Sequence, residues 1–212
     1  MRLNCGQDVK CLRKSQRTFI RSCGKGQGTN TLENLVLIGY MGSGKTTVGK
    51  TLAKLMQFSF VDTDEMIENQ QNKTIREIFA ADGEQAFRDL ETDLLKQLVA
   101  EKRKHLVLST GGGMPLRAEN QKLLSKLGLV VYLKAEPETI YHRVKNDTKR
   151  PLLQCENPFA AIKEMIDVRN PVYEEAAAQI VQVNACHQVE IAEQIKRQYL
   201  QYSNSSARQL NV

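Results

Sequence analysis

Short apolar runs alternate along the chain with longer segments in which apolar residues recur at helical spacing. This alternation is typical of an α/β protein, in which a parallel sheet is covered by helices. The apolar runs predict five strands, over residues 35–39, 58–62, 106–109, 129–133 and 179–183. The amphipathic segments predict eight helices, over residues 45–56, 64–70, 75–81, 84–101, 117–126, 138–144, 159–178 and 189–200.

The length of 212 residues suits one domain, which we place at residues 32–202. The longest apolar runs are far shorter than the ~20 residues that a membrane-spanning helix needs, so a soluble protein without membrane contact is expected. Residues 203–212 are small and polar and are expected to form a flexible tail.

The net charge of +6 comes entirely from the first 31 residues, which hold seven basic residues and one acidic residue. The rest of the chain has 23 basic and 23 acidic residues and is neutral. Residues 1–31 lack helical or strand periodicity and are expected to be a disordered extension. A nucleic-acid arm and an organellar transit peptide are alternatives to a dispensable extension. The excess charge therefore says little about the domain itself.

A phosphate-binding motif follows the first predicted strand. Residues 39–46, GYMGSGKT, fit the pattern GxxxxGK[ST] between a strand and a helix. The glycines let backbone N–H groups face a phosphate, and the helix N-terminus adds its positive dipole end. Lys45 can reach the β- and γ-phosphates, and Thr46 can bind Mg²⁺. The motif predicts a P-loop nucleotide site but does not say what is phosphorylated.

Two carboxylates close the second predicted strand. Asp62 and Asp64 lie two positions apart, so on a strand they share a face. Phosphoryl transfer needs one acid near Mg²⁺ and another near the attacking hydroxyl. The alternative is helix capping, with Asp62 as the N-cap and Glu65 three residues later.

Further residues are candidates for the binding site, although each of these features is common in proteins when it is taken alone. Arg88 and Glu91 share a helix face at i and i+3, so the acid can hold a guanidinium that binds a substrate carboxylate. Residues 111–113 are three glycines after the third strand, which leave backbone N–H groups open to a ligand. Arg150 lies in a break between two helices, residues 146–158, whose length suits a lid, and Arg169 lies on the helix that follows.

Taken together and in order, GYMGSGKT, DTD, FRDLE, GGG, RPLL and RNPVY resemble the shikimate kinase family. The resemblance runs from about Leu35 to the end of the last helix. It implies a three-layer P-loop kinase fold like that of the nucleoside monophosphate kinases. In that fold, a parallel five-stranded sheet in the order 2-3-1-4-5 has helices on both faces and a lid loop.

The family implies a donor site for ATP and Mg²⁺. Lys45 and Arg150 would be catalytic, with Arg150 moving in with the lid to neutralise the transferring phosphoryl group. Thr46 would bind Mg²⁺ with Asp62 helping through water, and Arg143 would stack on adenine. The residues that would surround the phosphates are Gly42, Ser43, Gly44, Lys45, Thr46 and Thr47.

The family also implies an acceptor site for shikimate. Asp64 would contact the shikimate hydroxyls and act as the catalytic base. Arg88 and Arg169 would bind the carboxylate, with Glu91 supporting Arg88. The residues that would contact the ring hydroxyls are Gly111, Gly112 and Gly113. The implied activity is phosphorylation of the 3-hydroxyl of shikimate in the biosynthesis of chorismate and aromatic amino acids.

Two other functions are alternatives to shikimate phosphorylation. Gluconate kinase shares the fold but has other acceptor residues in place of the DTD and FR motifs. A non-catalytic regulator that binds nucleic acid through the basic extension would need a degenerate acceptor site, and Lys45, Asp64, Arg88 and Arg150 are all present. We therefore expect an enzyme without a nucleic-acid partner, acting as a monomer in the cytoplasm, or in an organelle if residues 1–31 are a transit peptide.

Overall fold

The computed structural model describes residues 33–145, 156–184 and 186–209, with side chains up to Ser203 in the last segment. The predicted N-terminal extension, Arg150 and most of the predicted lid lie outside these residues.

The centre of the domain is a parallel five-stranded sheet in the order β2-β3-β1-β4-β5, which confirms the expected fold class. Its central strand is fully buried and pairs with β3 on one side and β4 on the other. Burial on both faces explains why this strand is a continuous apolar run. The strands are β1 (Leu35–Ile38), β2 (Ser59–Asp62), β3 (Leu106–Ser109), β4 (Leu129–Lys134) and β5 (Gln179–Gln182).

Seven α-helices surround the sheet in the described part of the chain. They are α1 (Lys45–Met56), α2 (Thr63–Gln71), α3 (Ile75–Glu101), α4 (Ala118–Leu127), α5 (Pro137–Val144), α6 (Pro158–Ala176) and α7 (Gln188–Gln209). Helix α1 packs against α7, α3 against α4, and α5 against α6. Right-handed crossovers place α1 on one face of the sheet and α3 to α6 on the other. None of the described helices is long and apolar enough to cross a bilayer.

Two helices differ from their predicted bounds. The predicted helices 75–81 and 84–101 form one element, which is interrupted at Gly83, where φ is 83° and ψ is 172°. Helix α7 continues to Gln209, past its predicted end at residue 200 and into the expected flexible tail. Adding residues to an existing helix is far easier than nucleating one, so a polar sequence there can stay helical. The other predicted ends lie within about two residues of the observed ones.

The strand order determines where a ligand can bind. Because β1, β2 and β3 are parallel, the chain leaves all three at the same edge of the sheet. The connections that follow them are residues 39–44, the Asp62–Thr63 junction and residues 110–113. In open α/β sheets, the crevice at the carboxyl ends of the strands is where ligands bind.

The opposite edge of the sheet is held together by one buried side chain. Asn34 is 6% exposed, and its amide nitrogen donates to the carbonyls of Arg103 at 2.7 Å and Leu127 at 2.9 Å. Its amide oxygen accepts from the N–H of Leu106 at 3.0 Å. One side chain therefore joins the start of β1 to the segments that enter β3 and β4.

We expect Asn34→Ala to destabilise the fold by about 2–4 kcal/mol, because it removes three hydrogen bonds and leaves buried backbone groups unpaired. Urea unfolding measures this change. The matched control is Gln70→Ala, which removes an exposed amide bonded to Gln97 and should cost less than about 0.5 kcal/mol. Equal stability of the two variants would contradict the role given to Asn34.

Candidate active site

Residues 39–46, called here the phosphate loop, join β1 to α1. Gly42 and Gly44 have φ of 73° and 96°, a backbone conformation that side chains rarely tolerate. A Cβ on Gly42 would also lie 2.7 Å from Cγ1 of Val144. The Lys45 ammonium group crosses the loop and donates to the carbonyls of Gly39 at 2.8 Å and Tyr40 at 3.0 Å. The loop thus has the backbone geometry that the motif predicts.

Asp62 both caps α2 and contacts the phosphate loop. As the N-cap of α2, its Oδ1 accepts from the N–H of Asp64 at 3.1 Å. Its Oδ2 accepts from the hydroxyl of Thr46 at 3.0 Å. Helix capping and contact with the phosphate loop are therefore compatible, since the two carboxylate oxygens point to different partners.

The predicted reason for the proximity of Asp62 and Asp64 is wrong. Strand β2 ends at Asp62, and Asp64 lies in the first turn of α2 rather than on the strand. The two carboxylates therefore do not share a strand face. They are brought together by the capping turn, in which the side chain of Asp62 binds the backbone of Asp64.

Asp64 lies between the phosphate loop and α3. Its Oδ1 is buried, has no hydrogen-bond partner among the described residues and would lie 2.5 Å from a Cβ placed on Gly111. Burial, with a further contribution from the charge of Asp62, raises the pKa of Asp64 to about 6, and Lys45 and Arg88 oppose this rise. A desolvated carboxylate with an unused oxygen is suited to accept a proton.

Arg88 is held by two acids on its own helix. Its guanidinium donates to Oε2 of Glu91 at 2.8 Å and to Oε1 of Glu84 at 3.0 Å. Glu91 is fully buried, and burial raises its pKa even though Arg88 opposes the shift. The predicted pairing of Arg88 with Glu91 is present, and it is a buried contact rather than part of a solvated helix face.

The three glycines of residues 111–113, called here the glycine loop, leave room for the charged side chains around them. A Cβ on Gly113 would collide with the guanidinium of Arg88, and one on Gly111 would lie 3.0 Å from Oε1 of Glu91. The N–H of Gly111 donates to the hydroxyl of Thr63 at 2.9 Å. At Gly112, a Cβ would lie 3.6 Å from the carbonyl oxygen of Gly39, so the glycine loop lies against the phosphate loop.

Arg169 and Arg143 approach the phosphate loop from the other side of the cleft. The guanidinium carbon of Arg169 lies 5.6 Å from the centre of the Tyr40 ring, a cation–π contact. Arg143 donates to the carbonyls of Gly42 at 3.2 Å, Ser43 at 3.3 Å and Val183 at 2.6 Å. Arg143 thus links the phosphate loop to the end of β5, where it borders the cleft.

The cleft has a volume of about 530 Å³. It contains the phosphate loop, both aspartates and Gly112, and it continues past Arg143 toward the start of α7. The charges of Lys45 and Arg88 act to lower the pKa of Asp64, and those of Arg88 and Arg169 act to lower the pKa of Tyr173, so these groups lie close together. Five predicted site residues border this cleft without lining it, and they lie next to Asp64, the glycine loop or Tyr40: Arg88, Glu91, Gly111, Gly113 and Arg169.

The residues fit a magnesium–nucleotide complex. Thr46 directs its proton to Asp62, so its oxygen lone pairs are left for a cation, and hydroxyl and carboxylate oxygens are the donors that Mg²⁺ prefers. Among the described residues, no group of three or more His, Cys, Asp or Glu side chains could hold a metal. This sparse donor set suits Mg²⁺ that takes its remaining ligands from phosphates and water.

Three residues that shape the site carry no role predicted from the sequence: Tyr40, Thr63 and Tyr173. Tyr40 lies inside the phosphate-binding motif, where an apolar ring carries no recognisable signal. The one clue to Tyr173 is that it follows Arg169 by four residues, so the two share a helix face. Their partners lie far away along the chain, so only the tertiary structure shows the contacts.

The sheet order, the phosphate loop and the carboxylate beside it define a P-loop kinase of the nucleoside monophosphate kinase-like class. The family model described as shikimate kinase matches residues 41–200. A shikimate kinase of Thermodesulfovibrio yellowstonii is 45% identical over 173 residues, which are 82% of this chain and 98% of that protein. The chain belongs to the shikimate kinase family.

Solved structures agree with this placement. The shikimate kinase from Acinetobacter baumannii in complex with shikimate matches with a TM-score of 0.75 and 41% identity, over 81% of this chain and 95% of that one. A gluconokinase from Sinorhizobium meliloti 1021 matches with a TM-score of 0.55 over 85% of this chain and 98% of that one. At 16% identity, the gluconokinase shows the shared fold alone.

The raised pKa of Asp64 predicts how stability depends on pH. Because the folded-state pKa of about 6 exceeds the ordinary aspartate value of 3.8, folding disfavours the charged carboxylate at neutral pH. In metal-free, ligand-free protein, Asp64→Asn should therefore raise the free energy of unfolding at pH 8 by on the order of 1–2 kcal/mol. The gain should shrink as the pH falls through 6 toward 4, because Asp64 then becomes protonated in the folded state.

Denaturant unfolding at a series of pH values measures this difference. Asp93→Asn is the matched control, because Asp93 is an exposed acid with a 3.7 Å contact to Lys96. It should change stability by less than about 0.5 kcal/mol at every pH. A destabilised Asp64→Asn protein at pH 8 would contradict the cost assigned to burying this charge.

Proposed function

We propose that the enzyme transfers the γ-phosphoryl group of ATP to the 3-hydroxyl of shikimate, giving shikimate 3-phosphate and ADP. The observation that carries this proposal is the position of Asp64, buried between Lys45 of the phosphate loop and Arg88 of α3. An acceptor hydroxyl beside Asp64 would lie between a phosphate site and a carboxylate site. Family membership supports shikimate as the acceptor, as does the shikimate bound in the A. baumannii relative.

On the donor side, the backbone of residues 42–47 and the ammonium group of Lys45 would bind the phosphates. Arg143 donates hydrogen bonds to two carbonyls of the phosphate loop, which fix the plane of its guanidinium group. The adenine would stack on this plane. Thr46 would hold Mg²⁺, with Asp62 acting through water. Bound Mg²⁺ would neutralise phosphate charge and help to orient the triphosphate.

On the acceptor side, Arg88 and Arg169 would bind the shikimate carboxylate. Glu91 holds Arg88 through a 2.8 Å ion pair, so the guanidinium is oriented before the substrate arrives. The glycine loop would contact the ring hydroxyls with its backbone. This arrangement would place the 3-hydroxyl against Oδ1 of Asp64.

In the transfer step, the shikimate 3-oxygen forms a bond to the γ-phosphorus while the bond from phosphorus to the β-phosphate oxygen breaks. The electron pair of the broken bond leaves with ADP, and Asp64 takes the proton of the hydroxyl. During the transfer, Lys45 would offset negative charge on the phosphates. Arg150, carried by the predicted lid, would offset more of this charge. The carboxylate is a better base because burial raises its pKa.

A coupled assay of ADP release tests the function. With ATP and Mg²⁺, shikimate should stimulate ADP release, and gluconate, the acceptor of a kinase with the same fold, should not. Phosphorus NMR with proton coupling should place the new phosphate on the 3-oxygen. Absence of stimulation by shikimate would overturn the proposal, and phosphate on another hydroxyl would overturn the placement against Asp64.

Arg150→Ala should lower turnover by about 10³-fold or more, because an arginine acting on the transferring phosphoryl group typically contributes 10³ to 10⁵ in rate. Steady-state kinetics measure the change. A control arginine must lie away from the site, which excludes Arg117, since it donates to the carbonyl of Arg88 at 2.9 Å and to Asp89 at 2.7 Å. The exposed Arg197 on α7 is suitable, and equal losses in Arg150→Ala and Arg197→Ala would exclude the role of Arg150.

We further propose that the enzyme acts as a monomer in the cytoplasm. Sedimentation at assay concentration tests the oligomeric state, and a stable dimer would contradict it.

A further inference from the structure

Tyr173 is a fully buried polar side chain that the mechanism above leaves unused. It lies on α6, one turn after Arg169, and its ring contacts that of Tyr132 with centroids 5.1 Å apart. Its hydroxyl donates to the carbonyl of Gly112 at 2.6 Å. One phenol thus reaches from the helix that carries Arg169 to the glycine loop.

The direction of the hydrogen bonds is fixed by the chemistry of the phenol. A tyrosine hydroxyl has one proton to donate, and the Gly112 carbonyl can only accept, so the proton lies on that bond. The positive charge of Arg169, one turn earlier on the same helix, favours the charged phenolate. Burial nevertheless raises the pKa of Tyr173 to about 12, so the hydroxyl stays protonated at working pH.

Arg169 lies beside both Tyr40 and Tyr173. The Tyr40 ring lies under its guanidinium carbon at 5.6 Å, and Tyr173, one turn further along α6, is close enough for the charge of Arg169 to act on its phenol. Arg88 is close enough for its charge to act on Tyr173 as well. The phenol thus lies where the two arginines and the glycine loop meet, although it carries no charge of its own.

We propose that Tyr173 is a positioning residue for the acceptor, whose hydroxyl holds α6, and with it Arg169, against the glycine loop, so that the guanidinium is oriented toward the shikimate carboxylate. This inference rests on the proposed function. Without the hydroxyl, the Gly112 carbonyl loses its donor and α6 loses this link to the glycine loop. A loosely held guanidinium binds a carboxylate less well, because it must be ordered when the substrate binds.

Tyr173→Phe tests this role, since it removes only the hydroxyl. It should raise the KM for shikimate by about tenfold, which corresponds to the loss of one hydrogen bond. The KM for ATP and kcat should stay within about threefold of the wild type. The uncharged carboxamide of shikimate, which offers Arg169 no carboxylate, should bind the variant and the wild type equally well in calorimetry.

Tyr132→Phe is the matched control. It also removes a partly buried phenol hydroxyl that bonds to α6, in this case to Oδ1 of Asn170. Its KM for shikimate should stay close to that of the wild type. A double variant adds a second test: if Tyr173 acts through Arg169, Tyr173→Phe should not weaken shikimate binding further in an Arg169→Ala background.

Three results would overturn the inference: an unchanged KM for shikimate in Tyr173→Phe, an equal loss of carboxamide binding, or an equal effect of Tyr132→Phe. The last two would show that the hydroxyl supports the fold in general. If the wild type shows no shikimate-stimulated ADP release, the proposed function itself fails. If the wild type is active and Tyr173→Phe leaves the KM for shikimate unchanged, only this inference fails.

Discussion

The central physical constraint on this molecule is the repulsion between two anions that must meet. In the proposed reaction, a triphosphate and a carboxylated acceptor come within bonding distance, and the Asp64 carboxylate lies between them as the base. Three negative groups in one cleft repel each other strongly unless fixed cations lie nearby. In this proposal, Lys45 on the donor side and Arg88 and Arg169 on the acceptor side would provide the positive charge.

The fold fixes these charges with separate supports. Lys45 is bonded to carbonyls of its own loop, Arg88 to Glu91, and Arg169 rests on Tyr40. Parallel strands bring the three supporting segments to one edge of the sheet, and the glycines there leave room for the side chains of Asp64 and Arg88. Asp64 is consequently desolvated, which costs stability at neutral pH and makes it a stronger base.

Local patterns in the sequence predict much of this arrangement. The continuous apolar run at residues 35–39 predicts a buried strand, and the glycine spacing of the motif that follows predicts the phosphate loop. The spacing of Arg88 and Glu91 predicts their pairing because both lie on one helix. These features depend on neighbours within a few positions, so they can be recognised without the tertiary structure.

Contacts between distant segments could not be predicted in this way. Tyr173 and Gly112 are 61 positions apart, and Asn34 reaches partners up to 93 positions away. The glycine loop illustrates the same limit. Its pattern suggests close approach of a ligand, and the structure adds that Arg88 and Asp64 occupy the space that side chains would need.

The central claim is that Asp64 is the base at the meeting point of the two sites, and Asp64→Asn tests it most directly. Calorimetry should give a shikimate affinity within about tenfold of the wild type, because the amide keeps the shape of the carboxylate. Turnover should fall by about 10²- to 10⁴-fold, the usual contribution of a general base. Near-normal turnover with intact binding would contradict the account.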